Sequence, residues 1–118
     1  MKGADRINII SDSEHGAGIA ADKIIVDGEI RTIKDGVMLL PDGTIAGSAS
    51  SMLYGIHNLI TDGFPLEDIS KMASINPARS LKIDHQTGSI AVGKAADLTI
   101  LDQDYQLCFT YIDGVCAF

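Results

Sequence analysis

With 118 residues, 46% of them hydrophobic and 21% charged, the chain has the length and composition of one soluble globular domain. It is too apolar for a disordered chain and far short of the about 250 residues that a closed (β/α)₈ barrel needs. Nine Lys and Arg against sixteen Asp and Glu leave a net charge of −7, which argues against a nucleic-acid partner.

In chain order, Met1–Arg6 lacks the apolar core of a signal peptide, and no apolar run approaches the roughly 18 residues of a membrane span. The expected address is therefore cytoplasmic, with no membrane partner. Ile7, Ile9 and Ile10 make Arg6–Ser11 a β-branched run suited to a strand buried on both faces, as in a parallel sheet. The run ends in the polar loop Ser11–Gly18, and α/β enzymes place their chemistry at such strand ends.

Asp-Gly dipeptides follow at Asp27, Asp35, Asp42, Asp62 and Asp113. The short runs between the first three predict an antiparallel meander over about residues 23–41. From Ser48 the period changes to helical, with Met52, Leu53, Ile56, Leu59 and Ile60 on one stripe and Gly63 near its end. Pro65 with Glu67 and Asp68 opens a second helix, and Asn76-Pro77 reads as cap and first residue of a third, ending near Lys82.

The tail is β-like again, at Gly88–Ile90, Gly93–Asp102 and Cys108–Phe118. Asp113-Gly114 predicts a hairpin that pairs Ile112 with Val115, Tyr111 with Cys116 and Phe109 with Phe118. Cys108 and Cys116 then do not face each other and are read as reduced, small apolar residues. One buried strand cannot form a parallel sheet by itself, so the chain is expected to be incomplete or to pair with something else.

Five segments occur in order: Lys2-Gly3-Ala4-Asp5-Arg6, Ser11-Asp12, Asp42–Ser48, Asn76-Pro77-Ala78 and Gly88–Leu98. Together they resemble the C-terminal third of the N-acetylglucosamine-6-phosphate deacetylase family, in the amidohydrolase superfamily. The Gly88–Leu98 and Asn-Pro-Ala pieces are shared by many amidohydrolases, whereas Asp-Gly-Thr-Ile-Ala-Gly-Ser points to the sugar deacetylases. The resemblance implies an α/β family fold, present here as a fragment. Residues 1–82 would be the last strand and helices of a (β/α)₈ barrel, with the meander inserted, and residues 83–118 the C-terminal strands of a small β-sandwich.

What the resemblance implies for chemistry is metal-dependent cleavage of an amide in N-acetylglucosamine 6-phosphate, with Asp12 as catalytic acid/base. Taken alone, Ser11-Asp12-Ser13 is also the usual material of an Asx turn. Ile45, Ala46, Gly47 and Ser48 correspond to the family's substrate-binding loop; Gly47 permits close backbone approach, and Ser48 suits a helix cap as well. The implied cofactor is a divalent ion, zinc or iron, whose ligands belong to barrel strands outside this chain; so do the phosphate-binding residues.

His15, beside Asp12 and Glu14, has no ligand-like spacing and reads as a solvated loop residue; His57 reads as a surface residue, and His85 lies in a turn. Lys94 and Asp97 are read as structural. The implied partner is an amino-sugar phosphate, and apolar surface left uncovered on Ile7, Ile9 and the helices favours a homo-oligomer. Two alternatives stand beside this reading: a fragment of a cyclic amidase or deaminase, and a non-catalytic, self-associating fragment.

Overall fold

The computed structural model describes residues 3–118, so Met1 and Lys2, including the Lys of the first motif, lie outside the described residues. Contacts divide the chain into two units: Ile10–Asp62, and the N-terminal residues to Ile9 together with Gly63–Phe118.

The Ile10–Asp62 unit is built on an antiparallel sheet in the order β1 (Lys23–Val26), β2 (Glu29–Lys34), β3 (Val37–Leu39), β4 (Ile45–Ser48). The meander forms where Asp-Gly predicted it. Asp27 and Gly28, and Asp35 and Gly36, all take positive φ, the geometry of two-residue turns whose twist matches that of the strands. Asp42 acts differently: its Oδ1 accepts the Thr44 N–H at 2.9 Å, and the longer turn delivers β4. Ile45–Ser48, expected as a loop, is thus the edge strand of the sheet. Met38 fills the centre of this unit at 1% exposure, and Gly16 packs against it where an added Cβ would lie 2.5 Å from Met38 Cε.

Helix α1 spans Met52–Thr61 on the predicted stripe. Its cap is Ser51, whose Oγ accepts the Tyr54 N–H at 3.2 Å, and not Ser48, whose Oγ accepts the Ser50 N–H at 3.0 Å instead. His57, expected at the surface, is half-buried on this helix.

In the second unit, α2 (Leu66–Ser70) and α3 (Asn76–Ser80) are not separate helices. They join through a π-helical turn, Lys71–Ile75. Pro65 caps α2 from outside, with extended backbone. The expectation that Asn76 starts a helix is corrected: its backbone is helical, it is buried at 5% exposure, and its N–H bonds to the Lys71 carbonyl five residues back. Pro77 supplies the reason. A proline ring clashes with the carbonyl four residues earlier and has no N–H to donate, and widening the turn relieves both problems.

The side chain of Asn76 does other work. Its Nδ2 donates to the carbonyls of Ala4 (2.8 Å) and Ile7 (2.9 Å), fastening the N-terminal segment to the helix. Met72 accepts the Ile9 N–H through its carbonyl at 2.9 Å, and Asn8 Nδ2 donates to Ser80 Oγ, also at 2.9 Å. This segment is not the predicted strand. After a 3₁₀ turn at Ala4–Arg6 the backbone is extended at Ile7, but residues 7–11 belong to no sheet among the described residues. A lone extended segment has no neighbour to complete a ladder, so its donors turn to the helix.

The tail forms a three-stranded antiparallel sheet, β5 (Leu98–Leu101), β6 (Leu107–Ile112), β7 (Val115–Cys116). Gly88–Ile90 and Gly93–Asp97, expected as strands, are bends, turns and irregular backbone. The hairpin pairs Ile112 with Val115 and Tyr111 with Cys116 as predicted. Beyond that it bulges: the Ala117 N–H donates to Thr110 O and the Phe118 carbonyl accepts from Thr110 N, so Phe118 does not face Phe109 as expected. Both cysteines are free.

Lys94 and Asp97 have the structural roles assigned to them. Lys94 Nζ donates to the Asp84 carbonyl and to Ser89 Oγ, and the Asp97 carboxylate accepts the Asp113 N–H at 2.8 Å, anchoring the hairpin turn. Gly88, at φ +85°, sits against Ala78, where a Cβ would lie 2.6 Å from that of Ala78. The two widely shared motifs therefore pack on each other.

Candidate active site

The residues singled out at the two ends of the first unit's chain meet. β4 is an edge strand, and its outer side carries unpaired backbone groups. Residues 12–14 satisfy them: the Ser48 N–H donates to the Asp12 carbonyl at 2.8 Å, and the Glu14 N–H donates to the Ser48 carbonyl at 2.9 Å. Ser13 and Ser48 thereby form a parallel bridge. Asp12 takes φ +48° and is solvent-exposed. Aspartate tolerates the left-handed conformation better than most residues.

Of the proposed substrate loop, Gly47 is buried, Ala46 and Ser48 are half-buried and Ile45 is 68% exposed. Asp12, Gly47 and Ser48 are brought together in space; Ile45 stands at the far end of the strand. The backbone N–H and C=O of Ser48 are committed to Asp12 and Glu14.

Glu14 was passed over as a poor ligand, yet it shapes this place. Its Cγ lies where a Cβ on Gly47 would come within 2.7 Å. Its carboxylate accepts from the His15 N–H at 3.4 Å and bonds His15 Nδ1 at 3.1 Å. Those hydrogen bonds, with a smaller contribution from the Arg31 charge, hold the Glu14 carboxyl below the ordinary glutamate range. Arg31 also pairs with Glu29 at 3.2 Å, while its Nε is buried without a partner. The signal for this arrangement was present in the sequence as Gly47, a residue that permits close backbone approach.

No three His, Cys, Asp or Glu side chains among the described residues come together as a metal site. The residues present therefore do not by themselves fit the ion that the resemblance implies. No helix among the described residues is long and apolar enough to cross a membrane.

Comparison with known proteins agrees with the motifs. The profile of the Amidohydrolase family matches residues 8–116, and the chain belongs to that family. Within it, the chain is 32% identical over 114 residues to N-acetylglucosamine-6-phosphate deacetylase of Vibrio furnissii, covering 96% of this chain and 29% of that protein. It is 33% identical over 115 residues to the putative N-acetylgalactosamine-6-phosphate deacetylase of Escherichia coli K12, covering 96% of this chain and 68% of that one. The crystal structure of N-acetylglucosamine-6-phosphate deacetylase from Pasteurella multocida superposes with a TM-score of 0.86 at 31% identity, over 95% of this chain and 30% of that one. The α/β fold expected from the motifs agrees with these likenesses, and the chain spans about 30% of the length of the Vibrio and Pasteurella proteins.

Proposed function

We propose that this chain is the C-terminal part of a metal-dependent deacetylase that hydrolyses N-acetylglucosamine 6-phosphate to glucosamine 6-phosphate and acetate. In that reading residues 1–82 complete a (β/α)₈ barrel and residues 83–118 a β-sandwich. The zinc or iron ligands lie in chain outside these residues. The observation that carries the reading is the junction of Asp12 with Ser48: the segment that points to the sugar deacetylases is hydrogen-bonded at 2.8 Å to the proposed acid/base.

The work assigned to this chain is proton transfer. As water attacks the acetamide carbonyl, its proton passes to the Asp12 carboxylate. The tetrahedral intermediate then collapses, the C–N bond breaks, and Asp12 returns the proton to the departing sugar nitrogen. The exposed Asp12 side chain has the accessibility that this exchange needs. Ile45, Ala46, Gly47 and Ser48 form the wall against which the sugar phosphate rests.

The test is acetate release from N-acetylglucosamine 6-phosphate by the longer enzyme carrying this sequence. Asp12→Asn should lower kcat by about 10²–10⁴-fold, the usual worth of a general acid/base. The 118-residue chain with added divalent metal should give no turnover, and robust turnover by it alone overturns the fragment reading. An unchanged rate in Asp12→Asn overturns the assignment of the proton shuttle. Running N-acetylgalactosamine 6-phosphate in parallel decides between the two sugars.

A further inference from the structure

We propose that Gly47 is a positioning residue for Asp12: its missing side chain makes room for Asp12's own backbone rather than for a ligand. The proposal rests on the reading of Asp12 as the proton shuttle.

Three observations converge. Asp12 holds a left-handed backbone at φ +48°, a conformation open to aspartate and kept in place by its neighbours. The neighbour here is β4, which grips the segment by two hydrogen bonds, Ser48 N–H to Asp12 O (2.8 Å) and Glu14 N–H to Ser48 O (2.9 Å). That grip requires the strand and the segment to lie in close contact at Gly47. A Cβ there would lie 3.0 Å from the Asp12 carbonyl oxygen and 2.7 Å from Glu14 Cγ.

The glycine is not needed for its backbone angles. Gly47 is not among the positive-φ residues, and it pairs with Met38 in β4, beside the register shift between Met38 and Leu39. Space is what it provides. The side of Gly47 that a methyl group would occupy is filled by Asp12 and Glu14, so no substrate atom can use it. The Asp12 oxygen is backbone and cannot rotate aside. The Glu14 Cγ belongs to a side chain whose far end is bonded to His15. An added methyl must therefore displace Glu14 Cγ and press the Asp12 carbonyl away from β4, and Asp12 moves with it.

The experiment compares Gly47→Ala with Gly55→Ala, a control on α1 where no atom lies within 4 Å of an added Cβ. Both are made in the longer enzyme, next to Asp12→Asn. Gly47→Ala is expected to lower kcat by about 100-fold, the scale of a 1 Å misplacement, with KM changed less than about threefold. Amide exchange at Ser48 and Glu14 should accelerate in Gly47→Ala and stay unchanged in Gly55→Ala. A wild-type kcat in Gly47→Ala overturns the proposal, and so does a loss carried by KM alone, which would leave Gly47 only its place in the substrate wall.

If Asp12→Asn keeps wild-type turnover, the proton-shuttle reading fails. The amide exchange then decides the geometry separately: faster exchange supports it and unchanged exchange overturns it. Should Gly47→Ala not fold, the double variant Gly47→Ala/Glu14→Ala removes the Cγ contact, keeps the contact with the Asp12 oxygen, and is read by the same rules.

Discussion

Ile9 reaches the carbonyl of Met72, with its N–H donating at 2.9 Å, because Pro77 cannot. In the π-helical turn Asn76 N–H goes to Lys71 O. The next donor in that pattern would be the N–H of residue 77, aimed at Met72. Proline has none, and the unclaimed carbonyl becomes the anchor for Ile9, three residues before Asp12.

Replacing Pro77 by Ala restores the missing donor and removes the ring clash. The helix should relax toward regular α geometry and withdraw the Met72 carbonyl. Amide exchange at Ile9 is expected to quicken by about 5- to 13-fold, on the scale of one lost hydrogen bond of about 1–1.5 kcal/mol. Unchanged protection at Ile9 would show that the proline does not control this bond.

Asn76→Ala removes the donor shared by the Ala4 and Ile7 carbonyls. Losing a buried partner of two acceptors should cost about 2–3 kcal/mol, read as a lower urea midpoint. Asn76→Asp should fare no better, because a carboxylate can only accept.

Gly88→Ala brings a Cβ to 2.6 Å from that of Ala78, at a backbone φ of +85°. The expected destabilisation is about 2–3 kcal/mol. Adding Ala78→Gly should recover the part due to that contact and leave the backbone strain and the approach to Ser74 O (3.1 Å) and Ile75 Cα (3.3 Å), which a double-mutant cycle separates.

The Glu14 carboxyl is held below its ordinary range chiefly by its side-chain hydrogen bond with His15. A depressed carboxyl contributes stability that is present above the unfolded value and lost as pH falls through the folded one. The wild-type advantage over Glu14→Gln should therefore be seen at neutral pH and fade in acid below the ordinary glutamate range. Thermal melts of both proteins between pH 3 and 7 measure it. An advantage that persisted to the lowest pH would assign it to packing on Gly47 instead.

What could be read from the sequence followed local chemistry. The Asp-Gly turns fixed the meander and the hairpin because two consecutive residues at positive φ leave few other outcomes. The stripe of α1 was equally legible. Asn76-Pro77 misled because the same pair serves as cap and first turn or, as here, as a π-turn inside a longer helix. Local preference cannot choose; the bonds to Ala4 and Ile7, from residues far away in sequence, do. Ile7–Ser11 misled for a related reason, since β-branched residues specify extended backbone but not a neighbouring strand. At the candidate site the participants Asp12, Gly47 and Ser48 were legible, but their mutual contact was not. It arises from β4 occupying a sheet edge, a property of the folded sheet rather than of any one segment.

The clamp from Asn76 to Ala4 joins positions 72 residues apart. On a ribosome adding about 5–20 residues per second, the first of these emerges roughly 4–14 s before the second. Throughout that interval Ile7 and Ile9 wait without the helix that later binds their backbone, a window in which a chaperone, or a neighbouring polysome's product, competes for them.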